Sequence, residues 1–594
     1  MNIASTEQTL QAARDYMRAA QFPEAESAFR QVLATDAKNV EALNGLGTLA
    51  LHMNRFEEAA TLFKEAVTAR PSETGIAMNL GTALLKMNRL QEAGAVYEQI
   101  IRMKPDFAEA WANIAVVLAE LRRLEDAARA NRRAIELKPN FSLPYQNLGT
   151  VLRDMGRLDE AEQVLKQGLN IDPNRPEMLA RLALVYLSQG ATDRAKNQEA
   201  IEVLRRALAI QPNHPYVLSN LGVALARLGR PEEAVPYHEQ ALQINPSFPM
   251  GMMNLGVALR SLGRFDEARN AFQRALALEP NNPALHENLA NELLVTGDWD
   301  KGLIEFERRL DDKSIFVRNW TTPRWDGSDP AGKTILLAAE QGIGETIQMA
   351  RYAQLIDQRG GRVVMEVQEP IASLISRAQG VSEVVAQGQA LPNHDAYAYV
   401  GSLPHLFRTT PQTIPAKVPY ISADPARVEN WRRKFSEYGD DLKVGLVWAG
   451  SQHHRSDPHR SMLLVDFAPL ADVKGVRFLS LQTGQPSSQV FSAPREMRLV
   501  DLSNSLSSFE ETAAALANLD LLISVDTAIV HLAGALGRRV WTMLAFAPHW
   551  RWLLNRSDTP WYPTMRLFRQ PGYGDWPGTM QQIKQELTAL AAKK

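Results

Sequence analysis

The stretch NLGTVLRDMGRLDEA, residues 147–161, recurs along the first half of the chain with few changes. Its copies read NLGTALLKMNRLQEA (79–93), NIAVVLAELRRLEDA (113–127), NLGVALARLGRPEEA (220–234) and NLGVALRSLGRFDEA (254–268). The third residue of each copy is small, and the same register extends to both sides of these copies. Successive small residues lie 34 positions apart, with one step of 39, at Ala13, Gly47, Gly81, Ala115, Gly149, Ala183, Gly222, Gly256 and Ala290. We therefore expect about nine units.

Six of these units carry two further marks. A second small residue follows the first by twelve positions, and a proline follows after twelve more, as in Gly81, Ala93 and Pro105. Small residues allow two antiparallel helices to approach closely, and the proline ends the second helix. The five extra residues of the long step fall in GATDRAKNQEA (190–200), which we expect to be a polar loop. The pattern resembles the tetratricopeptide repeat over residues 5–310, which implies a right-handed solenoid with a concave groove.

Asparagine recurs at one position of the first helix in most units, although asparagine is a mediocre helix former. The six positions are Asn79, Asn113, Asn147, Asn220, Asn254 and Asn288. One interpretation is that each asparagine caps or braces a neighbouring helix. The other is a ladder that binds the backbone amides of an extended polypeptide acceptor, because a carboxamide offers both a donor and an acceptor. A similar ladder is a feature of the repeats of eukaryotic O-GlcNAc transferase, which this half resembles.

The second half follows a different pattern. Residues 311–333 read as a linker rich in Trp, Pro and Gly, and short apolar runs then alternate with amphipathic segments. We expect parallel strands at 334–341, 362–367, 383–387 and 396–400, and a second set at 443–450, 476–482, 497–502, 520–526 and 538–544. Two such blocks predict two Rossmann-like lobes facing each other across a cleft, at 334–425 and 426–594.

Asp526 and Thr527 lie where a strand of the second lobe ends and a helix begins, with His531 one turn later. Free backbone N–H groups at such a helix start suit a phosphate group, and Thr527 and His531 would add polar contacts. The alternative is an aspartate N-cap followed by a buried histidine. Arg460, in the basic loop segment 447–462, is a candidate partner for a phosphate or a sugar carboxylate. A zinc site formed by His453, His454 and His459 or a merely solvated loop are the other interpretations of that segment.

The first lobe has a matching turn, GIGET, with Gly342 and Gly344 ahead of Glu345 at the start of a helix. The turn lacks the third glycine of a dinucleotide fingerprint, and the chain contains no GxxxxGK[ST] sequence, so NAD binding and ATP hydrolysis are excluded. In the segment 549–570, which interleaves Trp and Arg, we expect packing at the cleft with Trp550 or Arg551 near the donor base. The Asp298-Trp299-Asp300 sequence falls at an inter-helix turn and does not predict a metal site.

GIGET together with VDTAIVHLAGALG (525–537) resembles the GT-B glycosyltransferases related to bacterial heptosyltransferases. This resemblance implies that Glu345 is the catalytic base, where the related pattern usually has Asp. It also implies that Gly342, Gly344, Arg460, Asp526, Thr527 and His531 bind a nucleotide-sugar donor. The combination with tetratricopeptide repeats most resembles bacterial flagellin glycosyltransferases, which implies flagellin Ser or Thr as acceptor and a CMP-activated nonulosonic acid such as pseudaminic acid as donor. We expect an inverting transferase that needs neither a metal ion nor a cofactor.

Composition limits the alternatives. The 594-residue chain has a net charge of -2 and no cysteine, so we expect no nucleic-acid partner, no disulfide and no Cys-ligated zinc. The first residues lack the features of a signal peptide, and no apolar run reaches membrane-spanning length, so we expect a cytoplasmic protein. An O-GlcNAc-type transferase that uses UDP-GlcNAc is the second candidate, and a non-catalytic scaffold that works through its repeats is the third.

Overall fold

The computed structural model of the chain describes residues 3–190, 193–312, 320–340, 342–450 and 460–593. Two compact units are distinguished within it, Met1–Asn220 and Leu221–Lys594. Up to Glu307, the described residues form eighteen consecutive helices. They are α1 (Ile3–Arg18), α2 (Phe22–Thr35), α3 (Val40–His52), α4 (Phe56–Ala69), α5 (Thr74–Lys86), α6 (Leu90–Met103), α7 (Ala108–Glu120), α8 (Leu124–Leu137), α9 (Ser142–Asp154), α10 (Leu158–Ile171), α11 (Pro176–Gln189), α12 (Arg194–Ile210), α13 (Pro215–Arg227), α14 (Pro231–Ile244), α15 (Pro249–Ser261), α16 (Phe265–Leu278), α17 (Pro283–Val295) and α18 (Trp299–Glu307).

The recurring small residue has a direct packing reason. A Cβ atom added to Gly81 would lie 2.5 Å from the ring of Tyr97, which is far too close for two carbon atoms. The same conflict arises between Gly256 and Phe272, again sixteen residues apart. The helices of one unit are therefore in contact where the small residue lies, and the large residue of the second helix fills the space. This confirms the predicted tetratricopeptide solenoid, with nine helix pairs among the described residues.

The predicted polar loop at 190–200 is largely helical, which corrects the expectation. Helix α12 begins at Arg194 and has 17 residues, whereas α10 and α14 have 14. Asp193 caps it by accepting a hydrogen bond from the N–H of Ala195 at 2.8 Å. Most of the insertion thus lengthens the second helix of its unit at the N-terminal end, because Asp193 supplies a cap there.

The first sheet is built of four parallel strands. They are β1 (Thr334–Ala338), β2 (Arg362–Val367), β3 (Glu383–Ala386) and β4 (Ala396–Tyr399), in the order β3-β2-β1-β4. The connecting helices are α19 (Ile343–Met349), α20 (Ala353–Gln358), α21 (Ala372–Ile375) and α22 (Leu403–Leu406). Five of the six residues of β2 are buried, the exception being Arg362, as expected of a strand covered on both faces.

The second sheet has six parallel strands. They are β5 (Leu442–Val447), β6 (Val476–Ser480), β7 (Val500–Asp501), β8 (Leu521–Val525), β9 (Val540–Leu544) and β10 (Met565–Arg569), in the order β10-β9-β8-β5-β6-β7. Its helices are α23 (Pro425–Ser436), α24 (Phe509–Ala517), α25 (Ala528–Ala535) and α26 (Trp576–Ala591). Short 3-10 helices occur at Arg308–Asp311, Ala350–Tyr352, Glu369–Ile371, Val400–Ser402, Leu464–Asp472, Gln485–Ser492, Arg495–Met497, Ser503–Ser505 and Trp550–Trp552. The strand expected at 497–502 is reduced to two residues, and β10 was not expected.

The last repeat is part of the same hydrophobic core as the α/β half. Trp299, at the start of α18, lies 5.5 Å from the ring of Trp550 and 6.2 Å from that of Trp561. Asp298 caps α18 by accepting a hydrogen bond from the N–H of Lys301 at 3.3 Å, in keeping with its predicted turn position. Within the described ranges, no helix is both long enough and apolar enough to cross a membrane.

Candidate functional site

The two motifs singled out in the sequence meet at the ends of two central strands. Strand β1 leads through residues 339–342 into α19, and β8 leads through Asp526 and Thr527 into α25. A Cβ atom added to Gly344 would lie 3.0 Å from Cδ2 of His531 and 3.2 Å from Cα of Ala528. Glycine at 344 is therefore needed for close packing, and the starts of α19 and α25 are in direct contact.

Gly342 is explained differently. Its φ of -76° is open to any residue, and a Cβ atom added there would meet no atom of the described residues within 4 Å. Its carbonyl accepts hydrogen bonds from the N–H groups of Glu345 at 3.0 Å and Thr346 at 3.2 Å, so it begins α19. Neither backbone conformation nor packing against the described residues requires glycine at 342.

Glu345 lies in the first turn of α19 and is paired with a residue of the second lobe. Its Oε1 forms an ion pair with Nη2 of Arg551, and the two side chains are only 5% and 11% exposed. The other carboxylate oxygen of Glu345 and Nε of Arg551 are buried and have no hydrogen-bond partner among the described residues. The proposed base is thus present at the junction, but its charge is matched by a cation.

The N-cap of α25 is Thr527, not Asp526. The Thr527 hydroxyl accepts a hydrogen bond from the N–H of Ile529 at 3.3 Å. Asp526 instead accepts a hydrogen bond from Nε1 of Trp552 at 2.8 Å. The alternative of an aspartate cap is therefore wrong, because the indole of Trp552 turns the Asp526 carboxylate away from the helix start. Thr527 is buried, with its hydroxyl 3.4 Å from that of Ser524.

His531 is held by three side chains. Its ring is stacked on Trp552 with centroids 5.4 Å apart, and its Nδ1 lies 3.1 Å from the hydroxyl of Tyr562. Its Nε2 lies 4.0 Å from Oδ1 of Asp526. Burial lowers the pKa of His531 well below its usual value, and the charges of Arg551, Arg351 and Arg460 add to this effect. His531 is therefore neutral at physiological pH.

The proton of Tyr562 bears on the tautomer of His531. Burial raises the pKa of Tyr562 well above its usual value, so its hydroxyl stays protonated. A protonated phenol that donates to Nδ1 leaves the imidazole proton on Nε2, on the side of Asp526. Tyr562 was not singled out in the sequence, because nothing in its local pattern indicates a contact with a residue 31 positions earlier.

Three arginines surround this histidine, and they have different environments. Arg351 is buried, and it donates to the carbonyls of Gln348 at 2.9 Å and Trp561 at 2.6 Å and to the hydroxyl of Tyr420 at 3.1 Å. It therefore serves the packing of the lobes. Arg460 is half-buried, and its charge acts on His531. The preceding residues 451–459, with His453, His454 and His459, lie outside the described residues, so the zinc interpretation has no structural description.

A second carboxylate, not recognised in the sequence, follows β1. Glu340 accepts hydrogen bonds from Nη2 of Arg309 at 2.6 Å and from the N–H of Gly401 at 3.1 Å. Burial raises the pKa of Glu340 to about 7, opposed by the charge of Arg309 and aided by the like charge of Glu345. An acidic residue directly after a buried strand was the available signal. Glu340 thus joins the end of the repeats to the strand that precedes the site.

The environment of Trp550 contradicts one expectation. Its ring is fully buried between Trp299, Phe306 and Trp561, with centroid distances of 5.5–6.3 Å. Trp550 therefore has no free face for a nucleotide base, and the expectation is wrong for this residue. Arg551 next to it points to Glu345 instead.

The six asparagines are all half-buried, but their amides have different partners. Nδ2 of Asn79 lies 3.4 Å from Oδ1 of Asn44, and Asn113 is hydrogen-bonded to Tyr97. Nδ2 of Asn147 is buried and has no partner among the described residues. Asn288 donates to the carbonyl of Ala284 at 2.8 Å and accepts from Arg260 at 2.8 Å. The contacts of Asn288 correspond to a brace, whereas Nδ2 of Asn147 is enclosed without a hydrogen bond to the described residues.

Over the ranges that the structure describes, no group of three or more His, Asp or Glu side chains is arranged to hold a metal ion. Metal independence stays a prediction, since it concerns the reaction rather than the resting protein.

Comparisons with known families match both halves of the chain. Residues 2–245 match the model described as the C-terminal domain of cilia and flagella-associated protein 70, a tetratricopeptide domain, and residues 225–293 and 259–312 match a tetratricopeptide repeat model. Residues 492–565 match glycosyltransferase family 9 (heptosyltransferase). That last segment contains Asp526, Thr527, His531 and Arg551.

One curated relative is Protein FlbA of Caulobacter vibrioides, which is 28% identical over 294 residues. The match covers 45% of this chain and 48% of FlbA, so the chain spans about half the length of this relative.

Solved structures with similar helices include the APC/C hetero-tetramer Cut9-Hcn1, at 16% identity and a TM-score of 0.38 over 48% of this chain and 56% of that one. A tetratricopeptide repeat protein of Parabacteroides merdae has 15% identity and a TM-score of 0.38 over 43% of this chain and 99% of that one. PilF of Pseudomonas aeruginosa has 20% identity and a TM-score of 0.32 over 36% and 95%. The chain thus combines N-terminal tetratricopeptide repeats with a C-terminal segment, residues 492–565, that is similar to glycosyltransferase family 9.

Proposed function

We propose that this protein transfers a sugar from a nucleotide-activated donor to a Ser or Thr hydroxyl of a polypeptide, with the donor bound where α19 and α25 meet. One observation carries the proposal. The Gly344–Glu345 turn of the first lobe lies against the Thr527–His531 helix start of the second. The helix start, residues 527–531, belongs to the segment that matches family 9. An acidic side chain and a helix start are thereby brought to one place from two lobes.

The helix start is suited to the leaving phosphate. The first N–H groups of α25 and its dipole favour negative charge, and the guanidinium of Arg460 adds positive charge nearby. Neutral His531 adds a hydrogen-bond donor at Nε2 in the tautomer in which Tyr562 donates to Nδ1. These groups stabilise the charge that develops on the phosphate as the glycosidic bond breaks. They supply the positive potential for which other transferases use a divalent ion, and we therefore propose a metal-independent reaction.

Glu345 is the proposed general base. A Ser or Thr hydroxyl is a weak nucleophile at neutral pH, so a positioned carboxylate must take its proton. The acceptor oxygen then bonds to the anomeric carbon while the bond between that carbon and the phosphate oxygen breaks. The proton passes to Glu345, and the electron pair leaves with the nucleotide. A single displacement of this kind inverts the anomeric carbon.

The repeats are the proposed acceptor site. The six asparagine side chains are half-buried, and their amides would form hydrogen bonds with the backbone of an extended polypeptide without reading its side chains. By resemblance we propose flagellin as the acceptor and a CMP-activated nonulosonic acid such as pseudaminic acid as the donor. UDP-GlcNAc is the second candidate, because the asparagine ladder is similar to that of O-GlcNAc transferase.

Donor binding can be tested by calorimetric titration of the full chain with CMP, UDP, GDP and ADP. We expect one nucleotide to bind, and we expect the Thr527→Ala, His531→Ala double variant to lose that binding. Ser508→Ala is the matched control, since Ser508 caps α24 in the same lobe through the N–H of Glu511 and lies outside the site. It should lose a similar helix cap and keep nucleotide affinity. Equal affinity of the double variant and the unaltered chain would contradict the proposed site.

A further inference from the structure

The ion pair between Glu345 and Arg551 is at odds with a free general base. A carboxylate bound to a guanidinium has one oxygen occupied, so that oxygen is not free to accept a hydrogen bond from an acceptor hydroxyl. The pair is almost entirely buried, with side-chain exposures of 5% and 11%. In the described structure the base is therefore held in a form unsuited to its task.

The pair is also incomplete. Oε2 of Glu345 and Nε of Arg551 are buried with no partner among the described residues. A buried polar atom without a hydrogen bond destabilises the arrangement that contains it. Among the described residues, the Arg551 side chain is otherwise held only by the ring nitrogens of His549 at 3.2 Å and by the face of Trp550 at 4.9 Å. These are weak contacts for a buried cation, and a better anionic partner would displace them.

Arg551 lies within electrostatic reach of the proposed donor site. After burial, its charge is the largest influence that lowers the pKa of His531, ahead of Arg351 and Arg460. A phosphate carries more negative charge than a carboxylate and accepts both N–H groups of a guanidinium. A phosphate at the start of α25 would therefore compete with Glu345 for this arginine.

The backbone that carries Arg551 is strained. Leu553, two residues later, has φ 51° and ψ -171°, a region that is almost restricted to glycine. Asn555 also has a positive φ of 52°. Strain of this kind persists only where the surrounding structure holds the backbone in place, and it clusters at functional sites. The strained backbone thus marks the segment 549–555 as a candidate functional element.

We propose that Arg551 is a two-position residue that pairs with Glu345 in the absence of donor and transfers to the donor phosphate when the donor binds. The inference rests on the proposed function. Once its cation has left, both carboxylate oxygens of Glu345 are free to accept a hydrogen bond from the acceptor hydroxyl. The base is thereby released only when a donor is present, and the donor binds before the acceptor reacts.

A double-mutant cycle on nucleotide affinity tests this exchange. The probe is whichever of CMP, UDP, GDP and ADP binds the unaltered chain most tightly. Arg551→Gln should weaken its binding by about tenfold or more, since a charge-assisted bond to phosphate is lost. Glu345→Gln should tighten binding by about three- to tenfold, since the competing carboxylate is neutralised. In the Arg551→Gln background, Glu345→Gln should change nothing.

Each other outcome has a defined meaning. If Glu345→Gln tightens nucleotide binding equally in both backgrounds, the gain in affinity comes from the loss of a negative charge near the site, and the exchange is contradicted. It is also contradicted if Arg551→Gln keeps full affinity or if Glu345→Gln weakens binding. If the unaltered chain binds none of the four nucleotides, the proposed function fails and the exchange fails with it.

Two further variants guard against loss of folding. Arg556→Gln is the matched control, because Arg556 directly follows the segment 549–555 but pairs with the exposed Asp558. It should leave nucleotide affinity unchanged. Arg551→Lys keeps the charge without the two-pronged contact, and we expect it to fold and to bind nucleotide with an affinity between those of the unaltered chain and Arg551→Gln. Full affinity in a folded Arg551→Lys would contradict the predicted two-pronged contact with phosphate.

Discussion

Contacts within the repeats and contacts within the candidate site join residues at very different separations in the sequence. In a repeat, the small residue and the large residue that packs on it are sixteen positions apart, as in Gly81 and Tyr97. At the site, Glu345 and Arg551 are 206 positions apart and belong to different lobes. A substitution in a repeat should therefore act locally, whereas one at the site should alter how two lobes meet. The stability of the repeats and the chemistry of the site are separable on this account.

Arg309 offers the strongest test of that separation. It is buried and joins Glu307, Glu340 and Ser402, so it links the last repeat to the first lobe. Arg309→Met would leave the buried carboxylate of Glu340 without its cation, whereas Glu307 would keep its ion pair with Arg324, and it should lower the free energy of unfolding by about 3–5 kcal/mol. Chemical denaturation measures the loss. Arg308→Met is the control, because Arg308 is exposed and its ion pair with Asp311 contributes little.

The Arg309→Met, Glu340→Met double variant should recover part of that loss, since it removes one unpaired carboxylate together with its cation. If Arg309→Met is as stable as the unaltered chain, the link between the last repeat and the first lobe does not contribute to stability.

How far the sequence predicts these regions follows from the same difference. One period of 34 residues includes both helices, the pair of residues that packs between them and, in most units, the proline after the second helix. The solenoid can therefore be predicted from the repeated sequence. Strands β1, β2 and β8 are also readable, because buried parallel strands leave continuous apolar runs. Strand β10 was missed, since its alternation with Arg566 and Arg569 is typical of an exposed segment.

The site is only partly readable. The motifs place Glu345, Thr527 and His531 just after the ends of strands, and this placement can be predicted from the local sequence pattern alone. The partners Arg551, Trp552, Tyr562 and Glu340 come from distant positions with no periodic signal. The cap shows the limit clearly, because Thr527 rather than Asp526 caps α25 once Trp552 binds Asp526.

A smaller effect concerns acid stability within the repeats. His238 fills the space beside Gly222 that Phe272 fills beside Gly256, and burial lowers its pKa from 6.5 to about 4. The folded state therefore resists protonation while the unfolded state takes up a proton below pH 6.5. The contribution of this group to stability is complete above pH 6.5 and falls by up to about 3 kcal/mol as the pH approaches 4.

His238→Phe copies the neighbouring repeat and should remove that part of the acid sensitivity. The comparison is between the unfolding free energies of the two chains at pH 7 and at pH 4.5. If the difference between the chains is the same at both pH values, His238 does not titrate as described.

The smallest expected effect separates two asparagines of the ladder. Asn147 leaves a donor without a partner, whereas both ends of the Asn288 amide are bound by the chain itself. Asn147→Ala should weaken acceptor binding by about 1 kcal/mol, or roughly fivefold, and leave stability unchanged. Asn288→Ala should lower stability and leave acceptor binding unchanged. Surface plasmon resonance with immobilised acceptor and thermal unfolding measure the two quantities, and a reversed pattern would contradict this assignment.

The central claim, transfer of a sugar to a protein hydroxyl with Glu345 as base, is tested most directly by the intact mass of the acceptor. Flagellin is isolated from cells that carry the unaltered chain, the Glu345→Gln chain or neither. Loss of a general base lowers turnover by about two to four powers of ten. We therefore expect sugar-sized mass increments with the unaltered chain alone, while purified Glu345→Gln protein remains folded and binds nucleotide. Flagellin of the same mass in all three strains would contradict the proposed acceptor, and full modification by the Glu345→Gln chain would contradict the proposed base.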